Sequence, residues 1–326
     1  MIHVLCLRDI GEEILAVIKQ DLEGFCFYHE AKLPADEACA QAVLSKIEIV
    51  LGNPAGEMLK RLPNVKLIQS AFAGVDGIIG QGIPDGIILA NGRGAYGRTI
   101  AEHMLGRILL LYKKLDAYYE QQKVHAWKDL GMERTLFGRR VLIVGPGNIG
   151  QTFAELLTVF HTTTIGVRRS EGARPAGFAQ MHTLDTLGRK GMQEEIEKAD
   201  IVALCLPSTS ETKGFFDYTY LKHLKKNALV LNVGRGNVMP TADICRILQE
   251  RGDIRFALDV FEVEPLAPES PLWEDERVLV TPHITGGSFG HLKETEAVII
   301  DIIRENLVNY REGRPLSNVV DIRRGY

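Results

Sequence analysis

The run Val141-Leu-Ile-Val144 passes directly into Gly145-Pro-Gly147-Asn148-Ile149-Gly150, and a helical pattern over 149–160 follows at once. Few folds accept that succession. A short apolar run bounded by glycine reads as a strand buried on both faces. Gly145 permits the tight turn that leaves it. Gly147 lets the backbone approach a pyrophosphate, and Gly150 lets helix and strand pack closely. The helix then points its free N–H groups, those of Asn148 and Ile149 included, at the phosphates. Alone, G-x-G-x-x-G marks many ordinary turns. Between a strand and a helix it predicts a dinucleotide-binding βαβ unit.

That unit belongs to a longer alternation. Strands are expected over 141–144, 163–167, 201–204, 228–232, 256–260 and 278–280, with helices over 149–160, 193–198, 221–224 and 241–251. Such a series predicts a parallel sheet with right-handed crossovers. A smaller βα series precedes it, with strands over 3–7, 25–29, 48–51, 66–69 and 87–90 and helices over 11–20, 35–44 and 55–61. Between the two, 99–119 reads as one long helix. Its stripe is Ile100, His103, Met104, Arg107, Ile108, Leu111 and Leu115. A last helix is expected over 290–311. A length of 326 residues suggests two domains.

Bulk properties exclude some classes. Net charge is −4 with no dense Lys/Arg stripe, which argues against nucleic acid or an anionic membrane as partner. No apolar stretch nears the ~20 residues that span a bilayer, and Arg8-Asp9 follow the apolar start too soon for a signal peptide. The 5 cysteines are scattered without metal-ligand spacing, so no metal site is expected and reduced thiols in a cytoplasmic setting are.

Three further strand ends carry polar residues of different kinds. The run 228–234 leads into Arg235, 256–263 into Glu264, and 278–282 into His283. Ligands of open α/β sheets bind outside the carboxyl ends of the strands. Singly, each residue reads as a loop salt bridge, a solvated turn or a structural histidine. Jointly, an anion binder, a carboxylate and an imidazole suit a reaction in which a proton moves beside a bound carboxylate. About 20 residues after the glycine loop, where an NAD site usually has an acid for the ribose 2′-hydroxyl, stand Arg168, Arg169 and Ser170. Two guanidinium groups and a hydroxyl suit a 2′-phosphate, which favours NADP over NAD.

Several segments, in one order along most of the chain, resemble the D-isomer-specific 2-hydroxyacid dehydrogenase family. They are Ser70-Ala-Phe-Ala-Gly-Val-Asp76, Asn91-Gly-Arg-Gly, Ile100-Ala-Glu-His103, the glycine loop, Leu206-Pro207-Ser-Thr-Ser-Glu-Thr212, Asn232-Val233-Gly-Arg-Gly236, Leu258-Asp-Val-Phe-Glu-Val-Glu-Pro-Leu266 and Thr281-Pro-His-Ile-Thr-Gly286. The resemblance implies an α/β fold of two doubly wound parallel-sheet domains. A Rossmann-type cofactor domain, 99–290, would be inserted into a flavodoxin-like substrate domain, 1–98 plus 291–326.

The family's catalytic arginine, glutamate and histidine fall on Arg235, Glu264 and His283. Arg235 would hold the carboxylate and polarise the carbonyl of a 2-oxo acid. His283 would move the proton, and Glu264 would orient its ring and favour the protonated form. By resemblance, Ala73 and Gly74 offer backbone N–H groups to the substrate carboxylate, and Asp259 accepts from the nicotinamide amide. Leu206, Pro207, Thr212, Val233 and Gly286 would line the cofactor. Trp127 falls where some members lend an aromatic to the neighbouring subunit's pocket; Tyr96 and Phe289 are further pocket candidates. A homodimer follows from the same resemblance. Phe72 and His161 depart from the family's usual residues. Glu264 stands where the formate dehydrogenase branch has Gln.

The implied function is reduction of a small 2-oxo acid, of the glyoxylate or hydroxypyruvate kind, by NAD(P)H. Dehydrogenation of a bulkier D-2-hydroxy acid, or of a phosphonate analogue, stays open. So does a nucleotide-sensing corepressor or scaffold of the same fold.

Overall fold

The computed structural model describes residues 1–287, 289 and 291–325. Twelve strands appear in chain order: β1 (Ile2–Cys6), β2 (Phe25–His29), β3 (Ile49–Leu51), β4 (Leu67–Gln69), β5 (Ile88–Ala90), β6 (Arg140–Val144), β7 (Thr163–Arg168), β8 (Gln180–Thr183), β9 (Ile201–Leu204), β10 (Leu229–Asn232), β11 (Arg255–Leu258) and β12 (Val278–Val280). The helices are α1 (Glu12–Ile18), α2 (Glu37–Leu44), α3 (Gly56–Lys60), α4 (Asp76–Ile79), α5 (Gly97–Tyr112), α6 (Leu115–Lys123), α7 (Asn148–Leu157), α8 (Leu184–Lys198), α9 (Tyr218–Leu221), α10 (Thr241–Glu250) and α11 (Lys293–Glu312). Among the described residues no helix is long and apolar enough to cross a membrane.

The chain divides into two compact units, 1–96 with 287–326, and 97–286. In the first, five parallel strands lie in the order β2-β1-β3-β4-β5. Its core is built from Leu5, Val50, Ile68 and Leu89 on the strands, with Leu44, Leu59 and Ile78 from the helices. The tail returns to this unit. Val320 packs in the same core, and its N–H donates to Leu89 O at 2.8 Å.

The second unit has seven parallel strands in the order β12-β11-β10-β9-β6-β7-β8. Counted from β6, this is the 3-2-1-4-5-6 winding of a dinucleotide-binding sheet extended by one strand. Its order reverses between β6 and β9. The strands read as near-continuous apolar runs because helices cover both faces: β6, β9 and β10 are buried at nearly every position.

Two features depart from the sequence pattern. The helix expected over 99–119 is two helices. α5 ends at Tyr112, and Lys114 adopts φ +50° as the residue that starts α6. No glycine or proline marks the break. It is made by the returning loop, where the Arg134 N–H donates to Tyr112 O (3.0 Å) and Lys114 Nζ donates to Leu130 O (2.5 Å). Leu115, expected on the apolar stripe, is therefore exposed. The second departure is β8, Gln-Met-His-Thr, an edge strand with no apolar run to announce it. The start expected for the last helix, at Gly290, lies outside the described residues; α11 begins at Lys293.

Candidate active site

The glycine loop leaves β6 at the point where the strand order reverses. Gly145 has φ +86°, and a Cβ there would lie 2.8 Å from Cys205 O, at the end of β9. Some helices start with a side-chain cap, Asp36 accepting from Cys39 N on α2 and Thr183 from Thr186 N on α8, while α1, α3, α4, α6, α10 and α11 have none. α7 starts at Gly147 with no such cap. The first helical donor is Gln151 N, to Gly147 O at 2.8 Å. The N–H groups of Asn148, Ile149 and Gly150 thus have no acceptor among the described residues. Nothing stands within 4 Å of a Cβ built on Gly147, so a diphosphate has room to approach. These residues fit a dinucleotide's phosphates through orphan donors and the helix dipole.

Arg168, Arg169 and Ser170 lie at the end of β7, the neighbour of β6. The Arg168 guanidinium folds over its own loop and donates to Gly172 O and Ala173 O. Arg169 pairs with Glu211 at 2.7 Å, with both side chains more than half exposed. Such a surface pair is worth at most ~1 kcal/mol and yields readily to a dianion. Thr212 organises the loop after β9. Its hydroxyl donates to Pro207 O (2.6 Å) and accepts from Thr209 N (2.8 Å), closing its own loop. Leu206, on the same loop, packs against the unit's apolar core, while Val233 is buried and donates its N–H to Leu204 O.

The three other strand ends are neighbours in the sheet. At the end of β10, the Asn232 side chain donates to Arg235 O (3.0 Å) and accepts from Gly234 N (3.2 Å), which fixes the turn carrying Arg235. The Arg235 guanidinium donates to Gly234 O. Gly236 is required by contact: a Cβ there would lie 1.8 Å from the carbonyl carbon of Phe261. The loop after β10 and the loop after β11 therefore touch backbone to backbone. Glu264, on the latter, accepts from Phe261 N through Oε1 (2.9 Å) and from His283 Nδ1 through Oε2 (2.8 Å). The imidazole is thus fixed at Nδ1, as N–H, by a carboxylate that is itself anchored. His283 is 48% exposed at its side chain, and Nε2 has no partner among the described residues. Its backbone has φ +53°, a conformation that β-region chain ends do not supply by default and that often marks functional sites. Beyond it, Gly286 lies in a turn, half-buried.

Asp259 replaces its expected role with another. It is fully buried. Oδ1 accepts from Thr281 Oγ1 (2.5 Å) and Ile284 N (3.1 Å), and Oδ2 from Thr285 N (3.1 Å) and Thr285 Oγ1 (2.7 Å). Four donors fill a carboxylate, so none of it is left for a nicotinamide amide. Asp259 instead organises the turn 281–285, and its own carbonyl accepts the His283 N–H at 2.8 Å.

In the first unit, the loop after β4 shows one sided satisfaction. Ala71 O accepts from Tyr96 Oη (2.8 Å), Phe72 O from Gly92 N (2.9 Å) and Ala73 O from Asn91 Nδ2 (2.8 Å). The N–H groups of Ala73 and Gly74 have no acceptor among the described residues. The loop's carbonyls are tied inward and its donors are left for an anion. Tyr96 is buried, so it props the loop rather than lining a pocket. Asn91 and Gly92 have roles that the Asn91-Gly-Arg-Gly motif signalled without explaining. Trp127 is fully exposed on the loop after α6, and Phe289 is half-buried in a turn. Among the described residues no cluster of His, Cys, Asp and Glu is arranged to hold a metal.

Comparison with known proteins agrees with this architecture. The model of the D-isomer specific 2-hydroxyacid dehydrogenase NAD binding domain matches residues 105–285. The chain is 26% identical over 331 aligned positions to the glyoxylate reductase of Korarchaeum cryptofilum (strain OPF8), covering 98% of this chain and 96% of that one. It is 31% identical over 231 residues to glyoxylate/hydroxypyruvate reductase A of Salmonella heidelberg (strain SL476), covering 71% and 70%. The crystal structure of an NADPH-dependent glyoxylate/hydroxypyruvate reductase from Sinorhizobium meliloti, in complex with NADP and sulfate, superposes with a TM-score of 0.83 at 28% identity, covering 100% of both chains.

Proposed function

The chain belongs to the D-isomer specific 2-hydroxyacid dehydrogenase family, and from that premise we propose that this NAD(P)-dependent oxidoreductase reduces a short 2-oxo acid of the glyoxylate or hydroxypyruvate kind to the D-2-hydroxy acid. One observation carries the mechanism: His283 is held at Nδ1 by Glu264 with Nε2 left open, on a strand end next but one to that of Arg235. The reduced nicotinamide, when bound, supplies the hydride to C2 of the substrate. Everything else falls to side chains. Arg235, a fixed cation, takes the substrate carboxylate and carbonyl oxygen. As charge develops on that oxygen, the His283 imidazolium, protonated at both nitrogens, delivers its Nε2 proton to it and is left as the neutral Nδ1–H ring, which Glu264 orients and holds through Nδ1. In the first unit, the Ala73 and Gly74 N–H groups suit a carboxylate.

The relatives named as glyoxylate and hydroxypyruvate reductases support the substrate class. The Arg168-Arg169-Ser170 strand end and the NADP-bound relative support NADP. A panel of 2-oxo acids with NADPH and with NADH tests the reading; well-folded protein that turns over none of them overturns it. We also propose a homodimer, supported by the exposed Val124, Trp127 and Met132 in the segment after α6. Light scattering reads that directly.

Arg168→Asp is expected to raise the KM for NADPH by about tenfold to a hundredfold, the worth of one charge-assisted contact turned repulsive. The NADH parameters should move little. Equal loss with both cofactors would remove Arg168 from the 2′-phosphate. Gly92→Ala would put a methyl group 2.1 Å from Ala71 O and push the donor loop out of place. Overpacking of that kind costs about 1–3 kcal/mol. We expect a lower melting temperature and a several-fold rise in the KM for the 2-oxo acid, with NADPH affinity unchanged. An unchanged KM would mean that the loop does not hold the substrate.

A further inference from the structure

Helix α5 carries a buried cation on a face made mainly of apolar side chains. Arg107 is 4% exposed and lies on the stripe of Ile100, Met104, Ile108 and Leu111, all buried. Its Nη2 donates to Leu258 O (2.8 Å), Leu279 O (3.2 Å) and Thr281 Oγ1 (2.8 Å). These acceptors are the last residue of β11, the middle of β12 and the residue after β12. Because the Thr281 hydroxyl accepts from Arg107, its single proton goes to Asp259 Oδ1. Asp259 gathers the N–H groups of Ile284 and Thr285 with its other acceptor positions, and its carbonyl holds the His283 N–H. An unbroken series of bonds therefore runs from α5 to the turn that keeps His283 at φ +53°.

The arrangement is costly. Arg107 Nε and Nη1 are buried without an acceptor among the described residues, and burial pulls the guanidinium down to about 10, still protonated near neutral pH. His103, one turn earlier on α5, is held below its ordinary value first by burial and then by Arg107. A buried cation with unmet donors weakens a fold unless something is gained, and such breaches of local economy concentrate at functional sites. What is gained is a counter-charge for fully buried Asp259 and a rigid support for the turn.

We propose that Arg107 is a positioning residue for the proton transfer, acting through Thr281 and Asp259 to hold His283 in its catalytic geometry and to balance the Asp259 carboxylate. The inference rests on the reading of His283 as the proton donor. The charged and titratable groups on the elements around that histidine are Glu264 at its Nδ1, Asp259 at the end of β11 beneath its turn, Arg235 at the strand end next but one, and Arg107 with His103 from α5.

The test compares Arg107→Met, Arg107→Lys, Thr281→Val and His283→Ala as full-length proteins, each first checked for melting temperature and NADPH binding. Arg107→Met should lose up to about 100-fold in kcat, the scale of a misplaced catalytic group, with the KM for the 2-oxo acid changed less than about threefold. The alkaline limb of kcat/KM should move to higher pH, since an unbalanced carboxylate beneath the turn favours a cation above it. Arg107→Lys should return the limb and part of kcat. Thr281→Val should reproduce the loss of kcat, and the double variant should be no worse than Arg107→Met, as members of one network are non-additive. Should Arg107→Met not fold, the lysine and valine variants decide by the same readouts. Folded variants with wild-type kcat and an unmoved limb, or losses that multiply, overturn the proposal. An inactive His283→Ala beside a wild-type Arg107→Met overturns this inference alone; an active His283→Ala overturns the underlying reading.

Discussion

Replacing His283 with alanine is expected to lower kcat for 2-oxo acid reduction by about 10²–10⁴-fold, the usual contribution of general acid catalysis. Among the described residues no neighbouring carboxylate is placed to substitute. Glu264 stays anchored to Phe261 N on the Nδ1 side of the missing ring, away from the place of Nε2, and Asp259 has all four acceptor positions filled. The loss should appear in kcat, with the KM for the oxo acid nearly unchanged, because the proton moves only in the transition state. Folding should survive, since the ring is half exposed and the turn is held by Asp259 and Thr281 rather than by the imidazole. The residual rate should also lose the alkaline limb of the pH profile. Steady-state kinetics with NADPH between pH 6 and 10 would check this, and a variant within threefold of wild type would remove His283 from the chemistry.

Arg235→Ala should damage both parameters. A cation that holds the carboxylate in the ground state and the carbonyl oxygen as charge develops contributes to KM and to kcat together. Hydrogen bonds to charged groups are worth about 1.5–3 kcal/mol each, so kcat/KM should fall by at least about 100-fold. The turn should keep its shape, because Asn232 holds the backbone of residue 235 and Gly236 remains packed on Phe261. Arg235→Lys should recover little, since an ammonium cannot make the paired contacts of a guanidinium. Full recovery with lysine, or a change in KM alone, would reduce Arg235 to a simple electrostatic anchor.

Much of the second unit is legible in the sequence because a parallel sheet covered on both faces forces its strands to be apolar throughout. Runs such as 201–204 and 229–232 then end visibly at their first polar residue, and those ends are where ligands bind. The glycine loop is legible for a related reason. A positive φ at Gly145 and the bare start of α7 leave little choice of residue. β8 is not legible, since an edge strand needs no apolar run. Nor is the break at Lys114, which depends on Arg134 N and Leu130 O returning from some twenty residues away.

By itself the sequence determined which strand ends carry Arg235, Glu264 and His283, because polar type and position along the chain are local properties. Tertiary structure alone decided what supports them. Asp259, expected at a cofactor amide, is spent on the His283 turn, and Arg107, one member of a helical stripe, proves to be its buried counter-charge. Partners 151 and 172 residues apart along the chain, such as Arg107 with Leu258 and Leu279, leave no local trace. Only the packing of α5 on the ends of β11 and β12 makes them neighbours.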